Sequence, residues 1–234
     1  MIQTSLLRPI NIISIMRKRN FLMGLLAATT VPVFAQSTDA VSPTPNAIKP
    51  YLQVPSYKPD ANVVRIFFSP TCPYSRQYLS FFKNLESSLN SKTAKESIFT
   101  PTTNLSDGIE YAMAFAAVRR FHSRYAQNFI DASMIAAQEK NINVFNFRGI
   151  NIIASAVGFG RTKQLPESLI TLIAKNKALL YLDVQDYQAA QKALQIIGTP
   201  SVSVAGTYVV SPEFTMGDPE RFSELINAVI SMSL

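Results

Sequence analysis

Residues 63–75 read Val-Val-Arg-Ile-Phe-Phe-Ser-Pro-Thr-Cys-Pro-Tyr-Ser, and the predicted fold rests on this stretch. The run Val63–Phe68 is β-branched and aromatic, which is typical of a buried central strand. From Pro73 to Leu89 the apolar residues recur at three- and four-residue steps, which predicts a helix. Cys72, the one cysteine of the chain, therefore lies where a strand turns into a helix.

This position favours a reactive Cys72 thiol. The positive end of the helix dipole and the nearby backbone N–H groups stabilise a thiolate at the first helical turn. Pro73 suits the first helical position, where an N–H group has no partner within the helix. The alternative is that Cys72 is a small buried hydrophobic residue. That alternative does not account for the flanking prolines or for the helix start.

The rest of the chain predicts an α/β fold. A short strand is expected at 97–100, and a hairpin at 201–204 and 207–210. Helical spacing marks the segments 109–121, 125–137, 144–157, 166–179, 184–197 and 219–232. The 234 residues, 47% of them hydrophobic, suit one core. We therefore predict a single domain over 61–234 with a helical insertion at about 106–183.

The N-terminal segment has the pattern of a secretory signal peptide. Basic residues after Met16 precede an apolar run that ends in small residues at Ala35. We predict cleavage after residue 35, Met16 being an alternative start and an uncleaved anchor the alternative outcome. Residues 36–60 contain five prolines and are predicted to be an extended leader outside the core.

The net charge of +7 does not indicate a nucleic-acid partner. Four of the 22 basic residues lie before Gln36, where no acidic residue occurs, so 18 basic residues face 15 acidic ones in the remainder. One cysteine and one histidine exclude a typical zinc site, and no glycine-rich phosphate loop is present. We expect no cofactor and no metal. The histidine, His122, is expected to be an ordinary helix-surface or interdomain residue rather than an assistant to the thiol.

Two motifs carry a resemblance to a known family. The segment 67–75 resembles the active-site region of DsbA-like thiol-disulfide proteins, a branch of the thioredoxin superfamily, and 197–212 is similar to the family's cis-proline loop and following hairpin. The resemblance covers about residues 60–232 and implies a thioredoxin-like fold with a helical insertion. It also implies a cis bond before Pro200, with the Thr199 backbone paired with an extended substrate beside Cys72; an ordinary trans turn proline is the alternative. Pro73 and Tyr74 are further candidates for contact with the substrate. Tyr74 could equally be a core residue of its helix.

The sequence departs from this family at Ser75, where the second cysteine of the Cys-x-x-Cys motif would stand. A hydroxyl cannot resolve a mixed disulfide as a second thiol does. A dithiol oxidase is therefore not expected. Ser75 is left to tune the Cys72 thiolate or to serve as a polar residue of the first turn.

The sequence predicts a periplasmic thiol-disulfide exchange protein with Cys72 as its nucleophile, working as a monothiol isomerase or reductase. An alternative is a non-catalytic or chaperone-like protein that captures clients through Cys72. Two weaker alternatives remain. A glutathione-dependent enzyme is disfavoured by export, and a one-cysteine peroxidase would require a threonine where Ser69 stands. The expected partners are cysteine-containing exported proteins and a partner reductase or small thiol. We expect a monomer without stable membrane insertion, a Cys72-linked dimer being the alternative.

Overall fold

The structure, a computed structural model, describes residues 49–92, 96–103 and 108–233. The predicted signal peptide and residues 36–48 of the predicted leader lie outside them. In chain order the elements are β1 Leu52–Gln53, β2 Val63–Phe68, α1 Pro73–Gln77, α2 Leu79–Lys92, β3 Glu96–Pro101, α3 Ile109–Phe121, α4 Ala126–Gln138, α5 Phe147–Val157, α6 Leu169–Lys175, α7 Lys177–Ala193, β4 Ser201–Val204, β5 Tyr208–Val210 and α8 Pro219–Met232. Over the described ranges, none of the helices is both long and apolar enough to cross a membrane.

The strands of the described ranges form one sheet in the order β1-β5-β4-β2-β3. The strand β2 pairs in parallel with β3 and antiparallel with β4. All six residues of β2 are buried, as expected for an apolar strand with a neighbour on each edge. The helices α3–α7 lie between β3 and β4 in the sequence. The predicted α/β fold with a helical insertion is therefore confirmed.

Alternate side chains of β2 enter two different apolar clusters. Ile66 and Phe68 belong to the larger cluster, in which Phe68 packs edge-to-face against Phe115 with ring centroids 5.5 Å apart. Phe67 belongs to a smaller cluster with Leu194, which directly follows α7. Successive side chains of a strand point to opposite faces of the sheet, so the C-terminal end of β2 is packed on both faces. The loop that carries Cys72 thus begins at a tightly packed strand end.

A buried ion pair joins the segment before β2 to the sheet. Arg65 is 2% exposed, and its Nε and Nη2 donate to the two carboxylate oxygens of Asp60, each at 2.7 Å. Its Nη1 donates to Thr100 Oγ1 at 3.2 Å and to Asp186 of α7 at 3.1 Å. Burial acts to lower the pKa of Arg65, but the hydrogen bonds and charges of Asp60 and Asp186 together outweigh it and leave that pKa raised. A charged guanidinium therefore connects three separate parts of the chain.

The expectation that residues 36–60 lie outside the core is corrected for residues 52–60. The strand β1 pairs with β5, Leu52 lying opposite Val209. Val54 is 4% exposed and Asp60 is 1% exposed. A two-residue strand among prolines has no periodic signal, and its conformation depends on the pairing with β5. The sheet consequently begins earlier in the chain than the sequence predicts.

Two helix boundaries also differ from the prediction. The helix expected from Pro73 onward is divided at Tyr78, a buried residue that separates α1 from α2 in the sequence. The break expected between residues 179 and 184 lies instead at Asn176, whose side-chain amide donates to Leu172 O at 2.9 Å. Since α7 is continuous from Lys177, the predicted end of the insertion at residue 183 falls inside a helix.

Candidate active site

Cys72 follows β2 and occupies the N-cap position of α1, without a capping hydrogen bond from its side chain. Its backbone is extended, with φ −81° and ψ 118°, and Pro73 occupies the first helical position as predicted. The side chain is a free thiol of intermediate exposure. Its Sγ donates to the backbone oxygen of Thr199 at 3.0 Å. The thiol is therefore accessible and is held against a loop 127 positions later in the chain.

The loop before β4 brings the other predicted residues to this thiol. The peptide bond between Thr199 and Pro200 is cis. Ser201 Oγ donates to Gly198 O at 2.8 Å, which closes the turn around the bond. Pro200 is buried, whereas Thr199 is partly exposed next to Cys72. The structure thus brings together Cys72, Thr199 and Pro200 from the two ends of the domain.

Ser75, in the first turn of α1, is buried in the protein. It is 0% exposed, and its Oγ accepts a hydrogen bond from the Ser69 amide at 3.3 Å. The Cys72 amide also bonds to this loop, donating to Ser69 O at 3.2 Å. The Ser75 hydroxyl therefore holds the loop between β2 and α1. It presents no group to an approaching substrate.

Gln138, which the sequence does not single out, also bonds to this loop. Its Nε2, at the end of α4, donates to Pro70 O at 2.9 Å and to Cys72 O at 3.1 Å. The next residue, Glu139, forms an ion pair with Arg76 of α1. The inserted helical block is thereby attached directly to the cysteine loop. No local pattern around Gln138 indicates this contact, because its partners are 66 and 68 positions away.

An apolar groove of about 420 Å³ is lined in part by the segment Ile196–Thr199. We define the groove by Leu52, Tyr74, Ile197, Pro200, Phe214 and Met216, which are among its lining residues. Three of these side chains are largely exposed: Tyr74 at 55%, Ile197 at 87% and Met216 at 94%. Tyr74 is therefore a surface residue of the groove and not a core contact of its helix. Clustered exposed apolar side chains of this kind typically mark a binding surface.

A polar cleft of about 400 Å³ is lined in part by the same segment, which therefore borders both cavities. We define the cleft by Ser69, Thr71, Cys72, Thr102, Phe145 and Gln191, which line it with Ile196–Thr199 and Gly108. The hydroxyls of Ser69 and Thr71 are 3.0 Å apart and share a hydrogen bond. Among the described lining residues none carries a charge. Cys72 lines this cleft, so the thiol is open to it.

The remaining polar candidates take no part in this site. His122 packs edge-to-face against Phe159, with ring centroids 5.3 Å apart. Its neighbour Arg120 donates to both carboxylate oxygens of Asp183, Nε at 2.8 Å and Nη2 at 2.5 Å. Within the described ranges, no group of three or more potential metal-ligating side chains is found.

The chain is similar in fold to solved thiol-disulfide oxidoreductases. DsbL from Salmonella enterica serovar Typhimurium shares 15% sequence identity, with a TM-score of 0.59 over 86% of this chain and 98% of DsbL. The disulfide oxidoreductase DsbA from Proteus mirabilis shares 19% identity, with a TM-score of 0.60 over 78% and 94% of the two chains. The oxidoreductase DsbA from Xylella fastidiosa shares 21% identity, with a TM-score of 0.56 over 78% and 94%.

No protein-family model and no curated protein matches the sequence. At these identities the structural likeness shows the fold alone. It confirms the predicted DsbA-like thioredoxin fold with a helical insertion.

Proposed function

We propose that this chain is a periplasmic thiol-disulfide exchange protein that works through Cys72 alone. The observation that carries the proposal is the contact between the accessible Cys72 thiol and the backbone of Thr199, beside the apolar groove. An extended client segment can pair with the Thr199 backbone and place apolar side chains in the groove. A disulfide of that client then lies next to the nucleophile.

The chemistry consists of thiol-disulfide exchange through a mixed disulfide. The Cys72 thiolate attacks one sulfur of a client disulfide, the other client sulfur leaves as a thiolate, and a Cys72–client disulfide forms. Ser75 cannot break this bond, because its hydroxyl is buried and is not a thiol. Release therefore requires another thiol of the client, which gives isomerisation, or an external thiol, which gives reduction.

The fold likeness to DsbL and DsbA supports exchange chemistry, and the absence of a second cysteine supports the single-thiol form of it. The signal-peptide pattern of residues 1–35 supports export to the periplasm, where clients would be cysteine-containing exported proteins.

A second candidate function is client capture without turnover. It is favoured by the burial of Ser75, since nothing within the chain then releases a bound client. The two functions share the first step and differ in whether the adduct persists when further thiols are present.

Trapping experiments test the shared step. The protein is mixed with a short peptide that contains a disulfide, quenched with acid and analysed by mass spectrometry, with Cys72→Ser as the control. One peptide should attach to Cys72 in the wild-type protein and none to the variant. Failure to form any adduct with a range of apolar peptide disulfides would refute both candidate functions.

A further inference from the structure

We infer that the Thr199 carbonyl makes the reactivity of Cys72 depend on a bound client. In the free protein this carbonyl accepts the hydrogen bond of the Cys72 thiol. In the complex it accepts a hydrogen bond from a backbone amide of the client, and the thiol is then free to ionise. The inference rests on the proposed function and adds to it the regulation of the same site.

The thiol of the free protein is bonded to a single acceptor. Cys72 Sγ donates to Thr199 O at 3.0 Å, and its side chain makes no capping hydrogen bond with the backbone of α1. The Ser75 hydroxyl bonds to the Ser69 amide. Among the described residues, the Thr199 carbonyl is therefore the hydrogen-bond partner of the sulfur. It stabilises the thiol and not the thiolate, which has no proton to donate. Since the thiolate is the nucleophile in exchange, this bond opposes the reaction.

A client that pairs with this loop must use the same carbonyl. Gly198 O already accepts a hydrogen bond from Ser201 Oγ at 2.8 Å, and Pro200 has no N–H group. Thr199 is partly exposed, and its amide donates to none of the described residues. In an antiparallel arrangement the two residues of a hydrogen-bonded pair exchange both bonds. A client residue paired with Thr199 therefore donates its N–H to the oxygen that holds the thiol.

This second donor weakens the bond from the thiol. A carbonyl oxygen has two lone pairs, so the client amide either displaces the thiol or shares the oxygen with it. The S–H group is the weaker donor of the two, and its bond is weakened in both cases.

The reaction then proceeds with the proton accounted for. The thiol proton passes to water, and the Cys72 thiolate attacks one sulfur of the client disulfide, whose other sulfur leaves as a thiolate. After the client has been released, the protonated thiol bonds to Thr199 O again. In the oxidising compartment that the proposed function assigns, an accessible thiol is thereby kept in its less reactive form until a client is docked.

Infrared spectroscopy of the thiol tests the inference directly. Cys72 is the one cysteine of the chain, so the S–H stretch of the full protein is a single band, isolated by subtracting the spectrum of Cys72→Ser. The probe is the doubly capped peptide Val-Phe-Ser-Val, in which serine replaces the cysteine of an apolar client. The band of the free protein should lie at a lower frequency than in the urea-unfolded protein, because hydrogen bonding weakens the S–H bond. Saturating peptide should shift the band to higher frequency or remove it.

Two variants of this measurement locate the acceptor and the donor. Thr199→Val keeps the carbonyl and loses the hydroxyl, so the band of the free protein should keep its position; a shift would assign the bond to the side chain and overturn the inference. Peptides in which one backbone amide is replaced by an ester lack one N–H group each. One of these esters should bind and leave the band unshifted, whereas the others should act as the parent peptide does.

Alkylation of Cys72 by iodoacetamide provides a chemical readout. An ordinary bound peptide shields a thiol and slows alkylation. Here saturating Val-Phe-Ser-Val should accelerate it about threefold to fivefold at neutral pH, the factor that corresponds to one weak hydrogen bond. If shielding slows the reaction, the infrared band decides the outcome.

The outcomes separate the two proposals. If the disulfide form of the peptide makes the Cys72 adduct but the bound serine peptide leaves the S–H band unshifted, the coupling is refuted and the proposed function stands. The coupling is also refuted if the serine peptide does not bind at concentrations at which the disulfide form reacts, because docking must precede exchange. If Cys72 forms no adduct with peptide disulfides, the proposed function fails, and this inference fails with it.

Discussion

Replacing Gln138 by methionine tests whether the inserted helical block fixes the cysteine loop. The substitution keeps the length of the side chain and removes the amide that donates to Pro70 O at 2.9 Å and Cys72 O at 3.1 Å. Cys72 O keeps a weak hydrogen bond from the Arg76 amide at 3.4 Å. Among the described residues, only Gln138 donates a hydrogen bond to Pro70 O. With a net value of about 1 kcal/mol per hydrogen bond, and partial replacement by water, we expect a loss of about 1–2 kcal/mol.

The assay combines equilibrium unfolding in urea with the rate at which Cys72 forms an adduct with a peptide disulfide. Gln138→Met should lower the free energy of unfolding by the stated amount. It should also slow adduct formation several-fold, because the loop then samples more arrangements. Gln185→Met, at an exposed position of α7, is the matched control. If the two variants agree within about 0.5 kcal/mol and react at the same rate, the proposed role of Gln138 is wrong.

Three further variants test other parts of the account. Asp60→Asn should lower the free energy of unfolding by about 3 kcal/mol, because it leaves the buried Arg65 guanidinium without its main partner. Asp186→Asn changes a carboxylate that is 46% exposed, so it should lower the free energy of unfolding by about 1 kcal/mol or less. Equal losses for the two variants in urea unfolding would contradict this ranking. Ser75→Cys places a second thiol one helical turn after Cys72, so it should release a trapped peptide without added thiol, which mass spectrometry detects as a loss of adduct over time. Ile197→Asn should weaken capture of apolar peptide disulfides without lowering the free energy of unfolding, because this groove side chain is 87% exposed; unchanged capture would exclude the groove as the client site.

The sequence predicts the elements whose side chains repeat a strong local pattern. The strand β2 has a continuous β-branched and aromatic run, and the bounds of α3 and α8 agree with the predicted helices. The change from strand-like to helical spacing at Pro73 likewise predicts that Cys72 lies at the junction of β2 and α1.

Features that depend on distant partners could not be predicted in this way. The strand β1 exists through its pairing with β5, and Gln138 reaches a loop more than sixty positions away. The sequence predicts that β2 is buried, but the burial of Arg65 within it depends on the distant partner Asp186 as well as on Asp60. The resemblance placed Thr199 and Pro200 near the thiol, but it could not show that the Ser75 hydroxyl bonds to Ser69.

Turnover measures the central claim most directly. A client protein with scrambled disulfides is refolded with catalytic amounts of this protein, and N-acetylcysteinamide is added as the external small thiol. The recovery of native client is followed over time. The account predicts many native client molecules per molecule of protein, and no increase over the uncatalysed rate with Cys72→Ser. Recovery limited to one client per molecule, with the remainder of the protein held as a stable Cys72 adduct, would contradict catalytic exchange and identify a capture protein.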